Sequence, residues 1–273
     1  MDFRKQQEQI FHDSLRKDLS WQRWSPEMEE IIKTNPLWTN MKYYSVERKS
    51  RNMVLDWFAK NCKGERVLDY CCGNGDDSFI IAKNGAKEVI GIDISETSVN
   101  NCKKRAISEG CQKKVSFRVM DAEALEFNDN HFDIITEYGS LHHLNLQKAY
   151  SELARVLKPN GKILCNEALG HNPIIQLYRK ITPHLRTKWE IEHIFRKRDL
   201  EMARQYFDKV EILGFFHLAT IGATPFRNTP VFNFVLRLLE EVDGMLLKLP
   251  LVKWQAWQVV FVLSQPNKSP FLS

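Results

Sequence analysis

The chain predicts an α/β fold: a seven-stranded, mostly parallel sheet flanked by helices, with a helical extension before it and helical insertions late in the chain. Three observations carry this. The run Val67-Leu68-Asp69-Tyr70 reads as a buried strand, and Cys71-Cys72-Gly73-Asn74-Gly75 as a glycine-relieved turn opening a helix near Asp76. A second apolar run, Val89-Ile90-Gly91-Ile92, ends on an acid, Asp93. Further on, Ala149, Leu153, Val156 and Leu157 share one helical face, and Pro159 with Gly161 stops that helix before another apolar run, Lys162 to Asn166.

The remaining elements follow in order. Residues 3–20 and 26–34 read as polar helices; Ser25 caps the second, Pro26 takes its first helical position, and Asn35-Pro36 ends it. Residues 1–45 therefore form an extension outside the sheet. Tyr43-Tyr44 at its junction either covers a ligand or anchors the extension. A helix from Val46 to Cys62 leads into strand one, and residues 46–170 make the core. Lys114 to Val119 alternates as a half-buried strand, and His131 to Thr136 forms a fourth. After a cap at 171–206, the segment 207–273 supplies two more strands, Phe207 to Thr220 and Trp257 to Leu263. The insertion between them, residues 225–255, carries Phe232, Leu236, Leu239 and Leu246 at helical spacing. Such a helix packs on the sheet or across a homodimer, walls a lipophilic pocket, or lies at a membrane surface.

Composition bounds the class. The 273 residues, 43% hydrophobic and 27% charged, suffice for one elaborated domain with a full core. No apolar run is long enough for a membrane span, and the N-terminus is too charged for a secretory signal, so at most peripheral membrane contact is expected. The six cysteines lack metal-ligand spacing, which points to a reduced, cytoplasmic protein without a metal site. Net charge is +5, and the stretch from Arg179 to Arg198 holds seven basic residues against Glu190 and Glu192. That stretch is either a solvated, charge-laced face or a cap that pairs an anionic group on a substrate. It is too short and too poor in aromatic residues for nucleic acid.

The spacing of the glycines narrows the ligand. Dinucleotide sites use G-x-G-x-x-G, whereas here Ser78 stands where the third glycine would fall. Asp69, at the end of strand one, would repel a pyrophosphate and attract an α-ammonium group. Asp93 would take both hydroxyls of a ribose. A nucleoside carrying an amino acid fits these demands: S-adenosyl-L-methionine (SAM). The segment resembles the SAM-binding motif of class I methyltransferases, here the bacterial type that acts on small molecules, and the resemblance runs through roughly residues 46–170. It implies a Rossmann-like fold with an antiparallel seventh strand and N-terminal helices folded over the cofactor. It implies cofactor contacts from Tyr44, Asp69, Cys71, Gly73, Asn74, Gly75, Asp93, Ile94, Asp121, Ala122 and Glu137, with Asp121 accepting from the adenine amino group. Where the family usually has glycine, this chain has Cys71.

Methyl transfer from a sulfonium needs alignment, dryness and a place for a proton. His142, His143 and His171 fall at the tips of strands four and five and titrate in the useful range. Adjacent His142 and His143 point in different directions, so at most one faces the acceptor. The Asn/Asp-Pro-Pro-aromatic clamp for a flipped base is missing after strand four, where Glu137-Tyr138-Gly139-Ser140 stands. The expected reaction is therefore SAM-dependent methylation of an O, N or C atom on a small, lipophilic or anionic metabolite, releasing S-adenosyl-L-homocysteine. The rival reading is a non-catalytic sensor or scaffold that binds the same nucleosides.

Overall fold

The computed structural model describes residues 2–17 and 28–268, so the expected Ser25-Pro26 helix start lies outside the described residues. Seven strands form one sheet: β1 Arg66–Tyr70, β2 Glu88–Asp93, β3 Val115–Val119, β4 Phe132–Tyr138, β5 Leu157–Ala168, β6 Phe207–Phe216 and β7 Gln258–Pro266. Their order is β3-β2-β1-β4-β5-β7-β6. β7 runs antiparallel to both β5 and β6, and the pairings among β1 to β5 are parallel. The chain builds outward from β1 through β2 to β3 on one side, then crosses back from β3 to β4 on the other side of β1. A sheet that reverses in this way opens a crevice at the carboxyl ends of those strands.

Strand side chains alternate between faces, so neighbours such as Val67 and Leu68 enter different cores. Leu68, Tyr70, Ile92, Ile135 and Phe261 pack in one layer. Val67, Val89, Ile134, Leu164 and Val260 pack in the other, against Phe58 and Phe79. Both faces are thus covered, which is why the central strands lack polar alternation.

Helices α1 Phe3–Arg16, α2 Met28–Thr34 and α3 Arg48–Asn61 precede the sheet, with a 3-10 segment at Pro36–Val46. Asp2 caps α1 by accepting from Lys5 N at 2.9 Å. Asp13 of α1 accepts from Ser95 Oγ at 2.6 Å and Thr97 N at 3.0 Å, pinning the helix over the end of β2. The core helices α4 Asp76–Lys83 and α6 Leu146–Val156 occupy their expected places, and α5 Glu96–Ser108 joins β2 to β3. After β5 come α7 Pro173–Ile181, α8 Lys188–Glu192 and α9 Lys197–Ala203, and α10 Phe232–Leu246 fills the late insertion.

Three boundaries differ from the sequence reading. β5 starts at Leu157 rather than Lys162, and its register with β4 shifts between Phe132 and Ile134. The Pro159–Gly161 stretch is absorbed as an irregularity. A Cβ on Gly161 would lie 2.8 Å from Asp133 O, so only glycine permits this approach. β6 ends at Phe216, because His217 adopts φ 68° and breaks the strand before Thr220. A third difference is one of bounds and packing: within the 225–255 insertion the helix α10 covers only Phe232–Leu246, and it is packed on one side only. It buries Leu236, and Glu240 accepts from Arg48 Nε of α3 at 3.0 Å, while Phe234 is 72% exposed. Among the described residues no helix is long and apolar enough to cross a membrane.

Candidate active site

The turn after β1 is shaped by backbone conformation and by two acids. Gly75 sits at φ 76°, and a Cβ there would meet Cys102 Sγ and the Phe117 ring at 3.0 Å. Asp93, at the tip of β2, accepts from Gly73 N at 2.8 Å through one oxygen and from Ser95 N at 2.8 Å through the other. Asp69 accepts from Ser78 N at 3.0 Å and Ser78 Oγ at 2.6 Å, and so caps the first turn of α4. Thus Ser78 is the anchor for Asp69. Cys71 takes φ 56°, the left-handed region where glycine is ordinarily found. Burial, reinforced by the Asp93 carboxylate, pushes its thiol pKa well up, so it stays protonated.

Beyond this turn lies a pocket walled by Cys71, Asp93, Ile94, Asp121 and Ala122, and roofed by α1. Lys5 of α1 reaches Asp121 Oδ2 at 2.6 Å and Glu123 Oε2 at 3.0 Å, and Arg4 pairs with the other oxygen of Glu123. Glu8 accepts from His143 Nδ1 at 3.0 Å and from Thr187 Oγ1. Burial opposes a charge on His143, but the Glu8 bond outweighs it and raises its pKa. With His12, these groups bring three ligand-type atoms within 4.8 Å of one another. The ion pair between Glu8 and His143 accounts for their proximity.

A buried acid–histidine cluster occupies the tips of β4 and β5. A 3-10 turn at Leu141–His143 follows β4. His142 Nδ1 lies 2.7 Å from Glu167 Oε2, and Leu141 N donates to Glu167 Oε1 at 2.6 Å. Burial drives the His142 pKa well below its ordinary value, with the charge of His143 adding to the effect. Its imidazole is therefore neutral at pH 7, and a proton on Nδ1 leaves Nε2 as acceptor. Glu137 stacks a second buried carboxyl beside Glu167. Burial and the Glu167 charge raise the Glu137 pKa well up, so Glu137 holds the proton that the pair shares. Burial also raises Glu167, to about 7.

Next to the first pocket lies a larger cavity of about 460 Å³. Its walls are mainly apolar and aromatic, including Trp38, Tyr43, Tyr44, Tyr178 and Trp257, with His142 and Asn166 among the polar groups. The Tyr44 ring lies 5.9 Å from Trp257 and 6.5 Å from Tyr138, so it both anchors the extension and walls the cavity. Asn166 is 3% exposed, and neither its amide nitrogen nor its oxygen has a hydrogen-bond partner among the described residues. A buried amide left open in this way is arranged for something that enters. Cys71, Tyr138, Gly139 and His143 line both spaces, so the two cavities share a wall.

Several sequence assignments change. Asn74 is buried toward α5, where Asn101 Nδ2 approaches it at 3.4 Å, and does not line either cavity. Glu137 also stands apart, because Ser140 N and Oγ and the neighbouring Glu167 draw it inward. His171 lines neither cavity: Lys197 N donates to its Nε2 at 3.3 Å and its ring lies against Trp254. His142 and His143 do take different partners, although their rings are only 4.4 Å apart. Sequence reasoning missed Lys5, Glu8 and Asn166. Only the polar face of α1 and the position of Asn166 at a strand tip were available as signals.

A sheet that reverses beside β1, a glycine turn, acids at the tips of β1 and β2, and an adjoining apolar cavity define a nucleoside-binding α/β protein with room for a second molecule. The chain belongs to the methyltransferase-domain family, whose profile, described as "Methyltransferase domain", matches residues 61–212. It is 32% identical over 124 residues to demethylmenaquinone methyltransferase of Bacteroides fragilis, covering 45% of this chain and 50% of that one. It is 31% identical over 162 residues to 2-phytyl-1,4-naphtoquinone methyltransferase of Synechococcus elongatus, covering 57% and 68%. The chain spans about half the length of the first of these relatives. In fold, the chain resembles geranyl diphosphate C-methyltransferase from Streptomyces coelicolor, solved with Mg2+, geranyl diphosphate and S-adenosyl-L-homocysteine. The TM-score is 0.56 at 15% identity, covering 79% of each chain. That likeness establishes the Rossmann-like fold.

Proposed function

We propose that this protein transfers a methyl group from SAM to a small, largely apolar acceptor, with His142 as the general base. One observation carries the reading: the nucleoside pocket and the larger cavity share Cys71, Tyr138, Gly139 and His143. A donor in the first would face an acceptor in the second. The residues present fit the cofactor. Both Asp93 oxygens accept one backbone bond each and keep a lone pair for ribose hydroxyls. Ile94 and Ala122 offer apolar edges to an adenine ring. When bound, SAM supplies an electrophilic methyl on a sulfonium. The chain's own groups do the rest. The aromatic walls exclude water and orient the acceptor. His142, held by Glu167, accepts a proton from it, and Asn166 has free bonding capacity for a carbonyl or hydroxyl.

The relatives named for naphthoquinone and menaquinone precursors support a lipophilic acceptor. The buried His142–Glu167 pair favours the enzyme over a sensor or scaffold, which needs no base against a cavity. The test is calorimetric titration with S-adenosyl-L-homocysteine, then incubation with methyl-labelled SAM and a metabolite extract. Micromolar binding and a labelled product are expected. Binding without any labelled product would favour the sensor, and no binding would sink both readings.

A further inference from the structure

The basic stretch after β5 divides in the structure. Lys180, Arg196, Lys197 and Arg198 are not part of the cavity wall, whereas Arg179 and Arg186 line it with side chains only 9% and 6% exposed. Buried guanidinium groups are costly unless paired. One carboxylate serves both. Arg179 Nη2 lies 3.0 Å from Glu190 Oε1 and donates to Glu190 O at 2.8 Å. Arg186 Nε lies 3.4 Å from the same Oε1, and its Nη1 donates to Thr182 O and Oγ1 at 3.0 Å. Among the described residues, the Nε of each arginine has no hydrogen-bonded partner, the 3.4 Å approach of Arg186 being an ion pair only.

The pair is therefore short of one negative charge. Burial opposes ionisation of Glu190, but His143 and Arg179 keep its pKa below the usual value, so it counts as one full anion. Burial lowers the pKa of Arg179 despite that anion. Tyr43, on the same wall, is pushed up to about 12 and stays neutral. Apolar and aromatic side chains make up most of the remaining wall, with Tyr178 under the Arg186 guanidinium at 5.6 Å from its ring centre.

We infer that Arg179 and Arg186 bind a carboxylate on the methyl acceptor, which makes the acceptor an amphipathic acid: an apolar or aromatic body carrying one negative charge. The inference rests on the methyltransferase reading only in calling the occupant an acceptor. A planar carboxylate matches the guanidinium fork, and a single negative charge balances the excess of one. A doubly charged phosphate would leave a buried negative charge uncompensated.

The test titrates the protein, saturated with S-adenosyl-L-homocysteine, with fluorescent 3-hydroxy-2-naphthoate and with its uncharged counterpart 2-naphthol. Saturation keeps the cofactor's own carboxylate from supplying the signal. The acid should bind at least tenfold more tightly. R186Q and R179Q should each erase that preference while leaving naphthol affinity within twofold, and E190Q should tighten binding of the acid. If R179Q fails to fold by circular dichroism, R186Q and E190Q still decide. Equal affinity for the two probes, an unchanged preference in R186Q, or weaker acid binding in E190Q would overturn the inference. So would tighter binding of 1-naphthyl phosphate than of the acid. If the wild type does not bind S-adenosyl-L-homocysteine, the methyltransferase reading fails, and the same titrations without it still judge the arginines.

Discussion

The two cavities are built on different plans. The floor of the first pocket, proposed for the nucleoside, is made by neighbouring segments, the turn after β1 and the end of β2, while α1, Asp121 and the segment after β4 close the rest. Its key groups are fixed by backbone bonds, as Gly73 N and Ser95 N fix Asp93. The larger cavity is assembled from elements far apart in the chain, with Tyr44, His142, Asn166, Arg179 and Trp257 all on its wall. Its polar groups are fixed by other side chains, as Glu167 fixes His142 and Glu190 fixes the two arginines. A site held by backbone tolerates changes around it. A site held by side chains fails when one support is removed.

The largest effect expected from this contrast is at His142. His142→Ala should lower kcat by about 10²–10⁴-fold, the range for loss of a positioned base, with cofactor affinity unchanged. Stopped-flow or discontinuous assays with any accepted substrate would measure it. A comparable loss in cofactor affinity would mean the two cavities are not separable. Asp93→Ala comes next and should weaken S-adenosyl-L-homocysteine binding by about 1–3 kcal/mol, through lost charge-assisted bonds. Because Asp93 also holds Gly73, the Tm of the free protein should fall too.

The pH profile probes the support behind the base. Burial raises Glu167 to about 7, so below that pH it gains a proton and no longer accepts from His142 Nδ1–H. Nε2 then becomes the protonated nitrogen and the base is lost. Turnover should therefore rise as pH increases through about 7 and level off above it. Glu167→Gln should flatten that limb at a low rate; a limb that persists would assign it elsewhere. Cys71→Gly should produce a smaller change. Relief of a left-handed residue, about 1 kcal/mol, is partly offset by the extra freedom of glycine when unfolded. Tm should rise by at most a few degrees, and a fall would show that thiol packing outweighs the backbone. His171→Ala should alter kcat less than twofold, since the residue packs on Trp254 outside both cavities.

The same contrast explains what could be read from sequence. The strand-turn-helix at Val67–Asp76 and the acid at Asp93 were legible because the chemistry and the spacing lie in one stretch. The seven-stranded, mostly parallel sheet followed from that motif and the resemblance it carries, whereas the strand order is visible only in the structure. Tertiary partners were not legible. Nothing in the local sequence tells His142 from His143: one finds Glu167, and the other finds Glu8 in a helix 135 residues away. His171 and Glu137 carry suitable chemistry at strand tips, yet Lys197 and Ser140 claim them. The basic run after β5 gave the sign of its charge but not its division into a buried pair and a solvated remainder.

The clasp of α1 across the nucleoside pocket sets a timetable. Lys5 and Arg4 hold Asp121 and Glu123 while Glu8 holds His143, so the first two turns of the helix are latched by ion pairs of both senses, and Asp13 fixes its far end to Ser95 and Thr97. A nucleoside that enters or leaves must first unfasten those pairs. These side chains are mostly buried, and salt screens buried pairs far less than exposed ones. Exchange of the proposed cofactor should therefore depend little on ionic strength, because the latch above it is shielded from salt.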